Sequence, residues 1–216
     1  MTGLILDGAG VLLAGRPVFP PVTRHIGPGE IVVLMGPSGC GKSTLLNRIC
    51  GTLDPVFTAE GTVSVNGRAL DGLPPESRRL GLLFQDDLLF PHLSVGANLA
   101  FGVPGGISRH ERRARVDAAL SEAGLAGFAE RDPATLSGGQ RSRAALMRTL
   151  LADPEALLLD EPFSKLDRDL RQRVRDFVFD HARRRRLPTL LVTHDPEDAT
   201  DSDGTDLPTM RMTGER

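Results

Sequence analysis

The 216-residue sequence has no Tyr and no Trp, so nine Phe carry its whole aromatic content. Lysine is almost as scarce: only Lys42 and Lys165 stand among 26 basic residues, and each of them needs a reason. Cys40 and Cys50, the only cysteines, form no CxxC pair, which excludes a disulfide framework and gives no zinc pattern. No apolar run approaches the roughly 20 residues that span a bilayer. The start, from Thr2 to Asp7, lacks the basic stretch of a secretory signal, so a cytosolic chain is expected. A net charge of −2 creates no overall field that would single out nucleic acid or an anionic membrane. No period of 20 to 50 residues recurs, which excludes a solenoid or propeller. What remains is ordinary globular composition, 40% hydrophobic and 25% charged.

Short apolar runs alternate with longer helical patterns. Ile31 to Met35, Leu80 to Phe84, Ala156 to Leu159 and Thr189 to Val192 predict buried parallel strands, and Gly61 to Val65 an antiparallel one. The expected class is therefore α/β. Between Leu88 and Leu151 the strand signals stop. Ser108 and Glu111 read as a capping box, Val116, Ala119, Leu120 and Ala123 share a helical face, and Gly124 supplies the stop. An all-helical lobe inserted between strands is expected here. A last long helix is predicted from about Asp167 to Arg186, with Leu170, Val174, Phe177 and Val178 on one stripe. Its Arg183 to Arg186 run sits where the helix dipole favours cations, and without interleaved aromatics it does not predict nucleic-acid binding. Asp195 to Asp206 holds six acids and no base; lacking a closing Glu, it reads as a solvated, poorly ordered end, not a calcium loop.

Gly36-Pro37-Ser38-Gly39-Cys40-Gly41-Lys42-Ser43-Thr44 lies between a predicted strand and a predicted helix, the context of a Walker A phosphate loop. Its glycines let successive N–H groups turn toward phosphate oxygens, and the new helix presents its positive end. Lys42 can reach the β- and γ-phosphates, and the Ser43 hydroxyl can ligate Mg²⁺. Ala156 to Leu159 delivers Asp160 and Glu161 at a strand end, a Walker B arrangement: Asp160 for Mg²⁺, Glu161 as the base that polarises water. Ser137-Gly138-Gly139-Gln140 opens another helix and reads as a second anion cradle.

With that third motif the chain resembles the ATP-binding cassette family over roughly Ile5 to Asp198. The resemblance implies a P-loop core, a mostly parallel sheet plus an antiparallel β subdomain, with an inserted all-helical signature subdomain. It implies an ATPase domain over about residues 1–198, with a core lobe (1–87 and 152–198), a helical lobe (88–151) and an acidic tail (199–216). Ser137, Gly138, Gly139 and Gln140 would contact the nucleotide held by a second copy, forming a nucleotide-sandwich dimer. Gln85 resembles the family's Q-loop glutamine, near metal and γ-phosphate; Asp167, in Ser164-Lys165-Leu166-Asp167, lies in the D-loop. His194 looks like the switch histidine beside Glu161. The stretch Phe90 to Val95 is similar to that of small importer ATPases of the thiamine-importer-like branch. Such subunits use ATP and Mg²⁺, sit on the inner face of the membrane through permease subunits, and serve a substrate-binding protein.

Two departures stand out. Leu13 occupies the position where the family usually stacks an aromatic on adenine, with Phe19 the nearest aromatic, so weak base discrimination is expected. After His194 the chain ends in an acidic segment, and no regulatory domain is expected. A soluble cassette ATPase of DNA repair or translation would need long coiled coils or a second cassette, for which 216 residues leave no room. An exporter or lipoprotein-extraction ATPase is the closer alternative.

Overall fold

The computed structural model describes residues 2–84, 88–201 and 203–213. In chain order they form β1 (Leu4–Leu13), β2 (Arg16–Pro17), β3 (Val22–Ile26), β4 (Ile31–Met35), α1 (Lys42–Cys50), β5 (Phe57–Val65), β6 (Arg68–Ala69) and β7 (Leu80–Leu83). Then come α2 (Val95–Gly102), α3 (Arg109–Glu122), α4 (Gly138–Leu150), β8 (Ala156–Asp160), α5 (Arg168–Arg184), β9 (Thr189–Thr193) and β10 (Thr209–Arg211).

The sheet that positions the site has the order β10-β4-β9-β8-β7, with every pairing parallel. Its three central strands, β4, β9 and β8, are buried on both faces, and their side chains alternate between two cores. Ile31, Val33, Leu157, Leu159 and Leu191 join one with α2 to α5; Val32, Leu34, Leu158, Leu190 and Val192 join the other with α1. That second core also takes Leu4, Leu6, Val11, Val63 and Val65 from an antiparallel sheet in which β1 pairs with β2, β3 and β5, and β5 with β6. Helix α1 is thus packed between the two sheets. The molecule is mixed α/β with one parallel and one antiparallel sheet.

The strand from Gly61 is longer than its hydrophobicity predicts, since Phe57–Val65 pairs along β1. Strand β1 itself escapes period-two detection because its buried positions are Leu4 and Leu6, then Ala9 and Val11. A register shift between Asp7 and Gly10 reverses the phase there, with Gly8 at φ 58.

Three helices, α2 to α4, occupy the chain between β7 and β8. Ser108 caps α3 by accepting the Glu111 N–H at 3.1 Å, but the reciprocal arm of the expected capping box is absent because Glu111 pairs with Arg115 at 2.9 Å. Gly124, at φ 66, closes the same helix. Helix α5 spans Arg168–Arg184, slightly inside its expected bounds.

The acidic segment differs most from expectation. Its residues Thr209–Arg211 add a parallel edge strand beside β4, and Leu207 and Met212 are buried. Asp201 pairs with Arg183, Asp180 with Arg184, and Glu122 lies 3.8 Å from Arg185, so acids neutralise most of the arginine run. Composition suggested solvation; among the described residues the Asp201–Arg183 pair, β10 and the buried Leu207 and Met212 tie this segment to the fold instead.

Candidate functional site

Because all five strands of the central sheet run parallel, their C-terminal ends share one edge. Met35 leads there into the loop Gly36–Thr44, β8 ends at Asp160 followed by Glu161, and β9 leads into His194. A cavity of about 290 Å³ joins two of these strand ends; Ser38, Gly39, Gly41, Lys42, Ser43 and Thr44 line it together with Val18 and Glu161.

The loop has little freedom to move. A Cβ on Gly36 would lie 2.4 Å from Met212 O, and Cys40 is buried beneath the turn. Gly41, at φ 99, has the Phe19 ring directly behind it, 2.5 Å from where a Cβ would stand. Only glycine meets both demands. Lys42 is buried, and its Nζ donates to Gly36 O at 2.7 Å and Pro37 O at 2.9 Å, so the ammonium is held over the loop. Ser43 is exposed to the cavity, and no side chain caps the N-terminus of α1. Its first amides are therefore not used by a side-chain cap.

Glu161 has φ 47, a left-handed conformation that is costly for a side-chain-bearing residue. Its N–H donates to Val192 O at 2.9 Å, and its carbonyl accepts the Ser164 hydroxyl at 2.9 Å, which holds the turn. Its Oε1 stands 3.1 Å from His194 Nδ1. Burial raises the Asp160 carboxyl above its ordinary range, the Glu161 charge adds to this, and Lys42 partly opposes it. Cys50, on the inner end of α1, is pushed up to about 12 by burial, against Arg78 and with Asp160, which makes it an inert thiol at neutral pH.

The second glycine-rich motif lies elsewhere. Ser137 Oγ accepts the Gln140 N–H at 3.4 Å and Gln140 Oε1 accepts the Ser137 N–H at 2.9 Å, a complete capping box. Gly139 lets α4 approach α5, since a Cβ there would stand 2.4 Å from Leu170 Cδ1. Asp167 caps α5 by accepting the Leu170 N–H at 3.0 Å. Gly138, Arg141 and Ser142 face a different cavity of about 440 Å³, together with Lys165 and Leu166. Within one chain, Gly36 to Thr44, Asp160, Glu161 and His194 come together; Ser137 to Gln140 and Asp167 do not join them. Gln85 lies outside the described residues.

Three contributors escape sequence reasoning. Val18 lines the cavity from the end of the antiparallel sheet, Phe19 backs Gly41, and Met212 backs Gly36. Only the aromatic nature of Phe19 could have drawn notice, and for the wrong role: it is fully buried and offers no face to a base, while Leu13 is 43% exposed. Among the described residues, no group of three His, Cys, Asp or Glu could hold a metal by itself, and no helix is long and apolar enough to cross a membrane.

Comparison with known proteins agrees with this geometry. The family model described as ABC transporter matches residues 19–164. The chain is 50% identical over 177 residues to the uncharacterized ABC transporter ATP-binding protein YnjD of Escherichia coli, covering 82% of each chain. It is 44% identical to the aliphatic sulfonates import ATP-binding protein SsuB 2 of Burkholderia cenocepacia, over 87% of this chain and 66% of that one. The Fe(3+) ions import ATP-binding protein FbpC of Streptomyces avermitilis is also 44% identical, over 91% of this chain and 56% of its own length. With more than half of its length matched by the family model, and the loop, strand ends and sheet order in place, the chain belongs to the ABC transporter family.

Proposed function

We propose that this chain binds and hydrolyses ATP as the ATP-binding subunit of a membrane importer. The observation that carries the reading is the meeting of the Gly36–Thr44 loop with Glu161 in one cavity, with His194 on the Glu161 carboxylate. Relatives named as import ATP-binding proteins support the importer assignment. Their printed cargoes are aliphatic sulfonates, Fe(3+) ions and sn-glycerol-3-phosphate, so similarity selects no cargo for this chain.

In this reading the loop amides and the start of α1 hold the phosphates, and Lys42 turns from the Gly36 and Pro37 carbonyls toward the β- and γ-phosphate oxygens. Ser43 and Asp160 carry oxygen donors that would suit Mg²⁺, and Gln85 would join them in this reading. When bound, that ion neutralises charge on the transferring phosphoryl group. Lys42 lowers the energetic cost of the Asp160 charge, favouring a carboxylate able to bind a cation. Glu161 accepts the proton of the attacking water, and His194 holds its carboxylate in place.

The remaining residues act between subunits. The start of α4, Ser137 to Gln140, and Asp167 serve a second copy, each closing over the nucleotide of the other. The chain divides into a core lobe and a helical signature lobe of about residues 88–151 carrying α2 to α4. Leu88, Phe90, Phe101 and Arg148 line a groove of about 460 Å³ beside β7, suited to an apolar segment of a permease at the inner membrane face. A substrate-binding protein delivers the cargo. With Leu13 exposed and Phe19 buried, the base is held by apolar contact alone, and GTP should compete with ATP.

The test is Glu161→Gln. Loss of a general base costs about 10²- to 10⁴-fold in turnover, so hydrolysis should nearly vanish while ATP binding persists and an ATP-bound dimer accumulates. Near-normal hydrolysis in that variant would remove Glu161 from the mechanism.

A further inference from the structure

We infer that Thr193 and Asp198 form a positioning pair that holds His194 in place against Glu161; this rests on the role given to His194 above. Thr193 and Asp198 are each 2% exposed, so both groups are taken fully out of water. Thr193 Oγ1 donates to Asp198 Oδ2 at 2.7 Å. A hydroxyl has one proton and two lone pairs, so with its proton committed to Asp198 the Thr193 oxygen is free to accept the Asp195 N–H, at 3.1 Å. The residue after His194 is fastened a second time: Asp195 Oδ1 accepts the Glu197 N–H at 3.0 Å, and its carboxylate is paired with Arg171. A third bond, Asp198 N–H to Asp195 O at 3.2 Å, closes the turn.

His194 is therefore flanked by two residues tied to each other and to the turn that follows. Its own side chain is 59% exposed, so the tether of its backbone contributes to where Nδ1 meets Glu161 Oε1. The cost of this arrangement argues that it serves more than packing. Burial raises the Asp198 carboxyl above its ordinary range, with the Thr193 hydrogen bond and Arg171 opposing, and Asp198 Oδ1 is buried without a hydrogen-bond partner. An apolar residue would avoid that penalty if filling space were the only task. Asp195, by contrast, would be raised by burial, but the Glu197 N–H and Arg171 outweigh this and hold it below its usual range, which favours its charged form beside His194.

The experiment measures ATP turnover and ATP KM of the purified chain for Thr193→Val and Thr193→Ser, each with and without His194→Ala. Thr193→Val should lower kcat about tenfold with KM within about twofold, because orientation is lost and binding is not. Thr193→Ser, which restores the hydroxyl, should return kcat to within about twofold of the parent. In the His194→Ala background Thr193→Val should cost nothing further. Asp198 provides an independent pair: Asp198→Asn keeps an acceptor and should retain kcat within about threefold, whereas Asp198→Leu should lose as much as Thr193→Val. An unchanged kcat in Thr193→Val or Asp198→Leu, or an equal loss with and without His194, overturns the positioning role. If His194→Ala itself leaves kcat untouched, the reading of His194 fails first and takes this pair with it.

Discussion

Helices α1 and α4 both begin at a glycine-rich segment, Gly39-Cys40-Gly41 before Lys42 in one and Gly138-Gly139 after Ser137 in the other. At α1 the N-cap residue is Gly41, no side chain bonds its first turn, and a buried ammonium lies beside it. At α4 the capping box of Ser137 and Gln140 satisfies backbone donors from within. The glycines differ as well. Gly41 is required by a left-handed φ and a ring behind it; Gly139 sits in regular helix and is required because Leu170 of α5 leaves no room for a Cβ. The same composition leaves an uncapped first turn facing a cavity at one helix start and allows close helix packing at the other. At α4 the first turn is thus closed by its own side chains, whereas at α1 the lysine and the neighbouring strand end stand beside an uncapped first turn.

The strongest way to break this comparison is to add one methyl group at each start. Gly41→Ala forces a side chain into a left-handed backbone and against Phe19. The loop should shift, with ATP affinity falling about 100-fold, the penalty of a displacement near 1 Å, together with about 1–3 kcal/mol of stability. Isothermal titration with ATP and thermal melting measure the two effects. Gly139→Ala should cost a similar overpacking penalty of about 1–3 kcal/mol through Leu170, yet leave ATP affinity of the isolated chain within about twofold. If Gly139→Ala abolished that affinity, the two helix starts would act on the same bound nucleotide within one chain, and the distinction drawn between them would fall.

A smaller change sharpens the capping half of the comparison. Ser137→Ala removes one arm of the box at α4 and should lower stability by about 1 kcal/mol in urea unfolding. No equivalent loss is available at α1, where no side chain caps. A stability change well below that figure would mean that solvent already satisfies the Gln140 amide.

The two helix starts also explain what could be read from residues alone. Strands β4, β8 and β9 are legible because burial on both faces makes them continuous apolar runs, and the phosphate loop because each glycine and Lys42 has a separate chemical reason. Strand β1 is hidden by a bulge that moves its buried positions from Leu4 and Leu6 to Ala9 and Val11. Strand β10 is hidden by its brevity and by the acids that precede it, of which Asp201 finds its partner Arg183 on another element. Glu161 is legible as an acid at a strand end, but the Thr193–Asp198 tether is not, since it depends on how the chain turns after β9. Phe19 shows the limit most directly. Its scarcity as an aromatic draws attention to it, but only packing reveals that its ring supports Gly41 from behind.

The smallest expected change in stability tests whether the opening of α1 is balanced for charge. Asp160 faces Lys42 across the site, and burial together with Glu161 holds its carboxyl above the usual range. A group whose folded pKa is raised contributes its relative stability below its unfolded pKa and loses it as pH rises through the folded value. Ionising Asp160 is therefore a cost to the ligand-free fold. Asp160→Asn should slightly raise the melting temperature of the ligand-free protein at neutral pH. The gain should shrink as pH falls below the raised pKa of Asp160, because protonation of the wild-type carboxyl then removes the same charge. Melting temperatures of both proteins across acid to neutral pH measure it. A gain that persisted undiminished into acid would show that the benefit is not electrostatic, and that Lys42 already offsets the Asp160 charge in the absence of nucleotide.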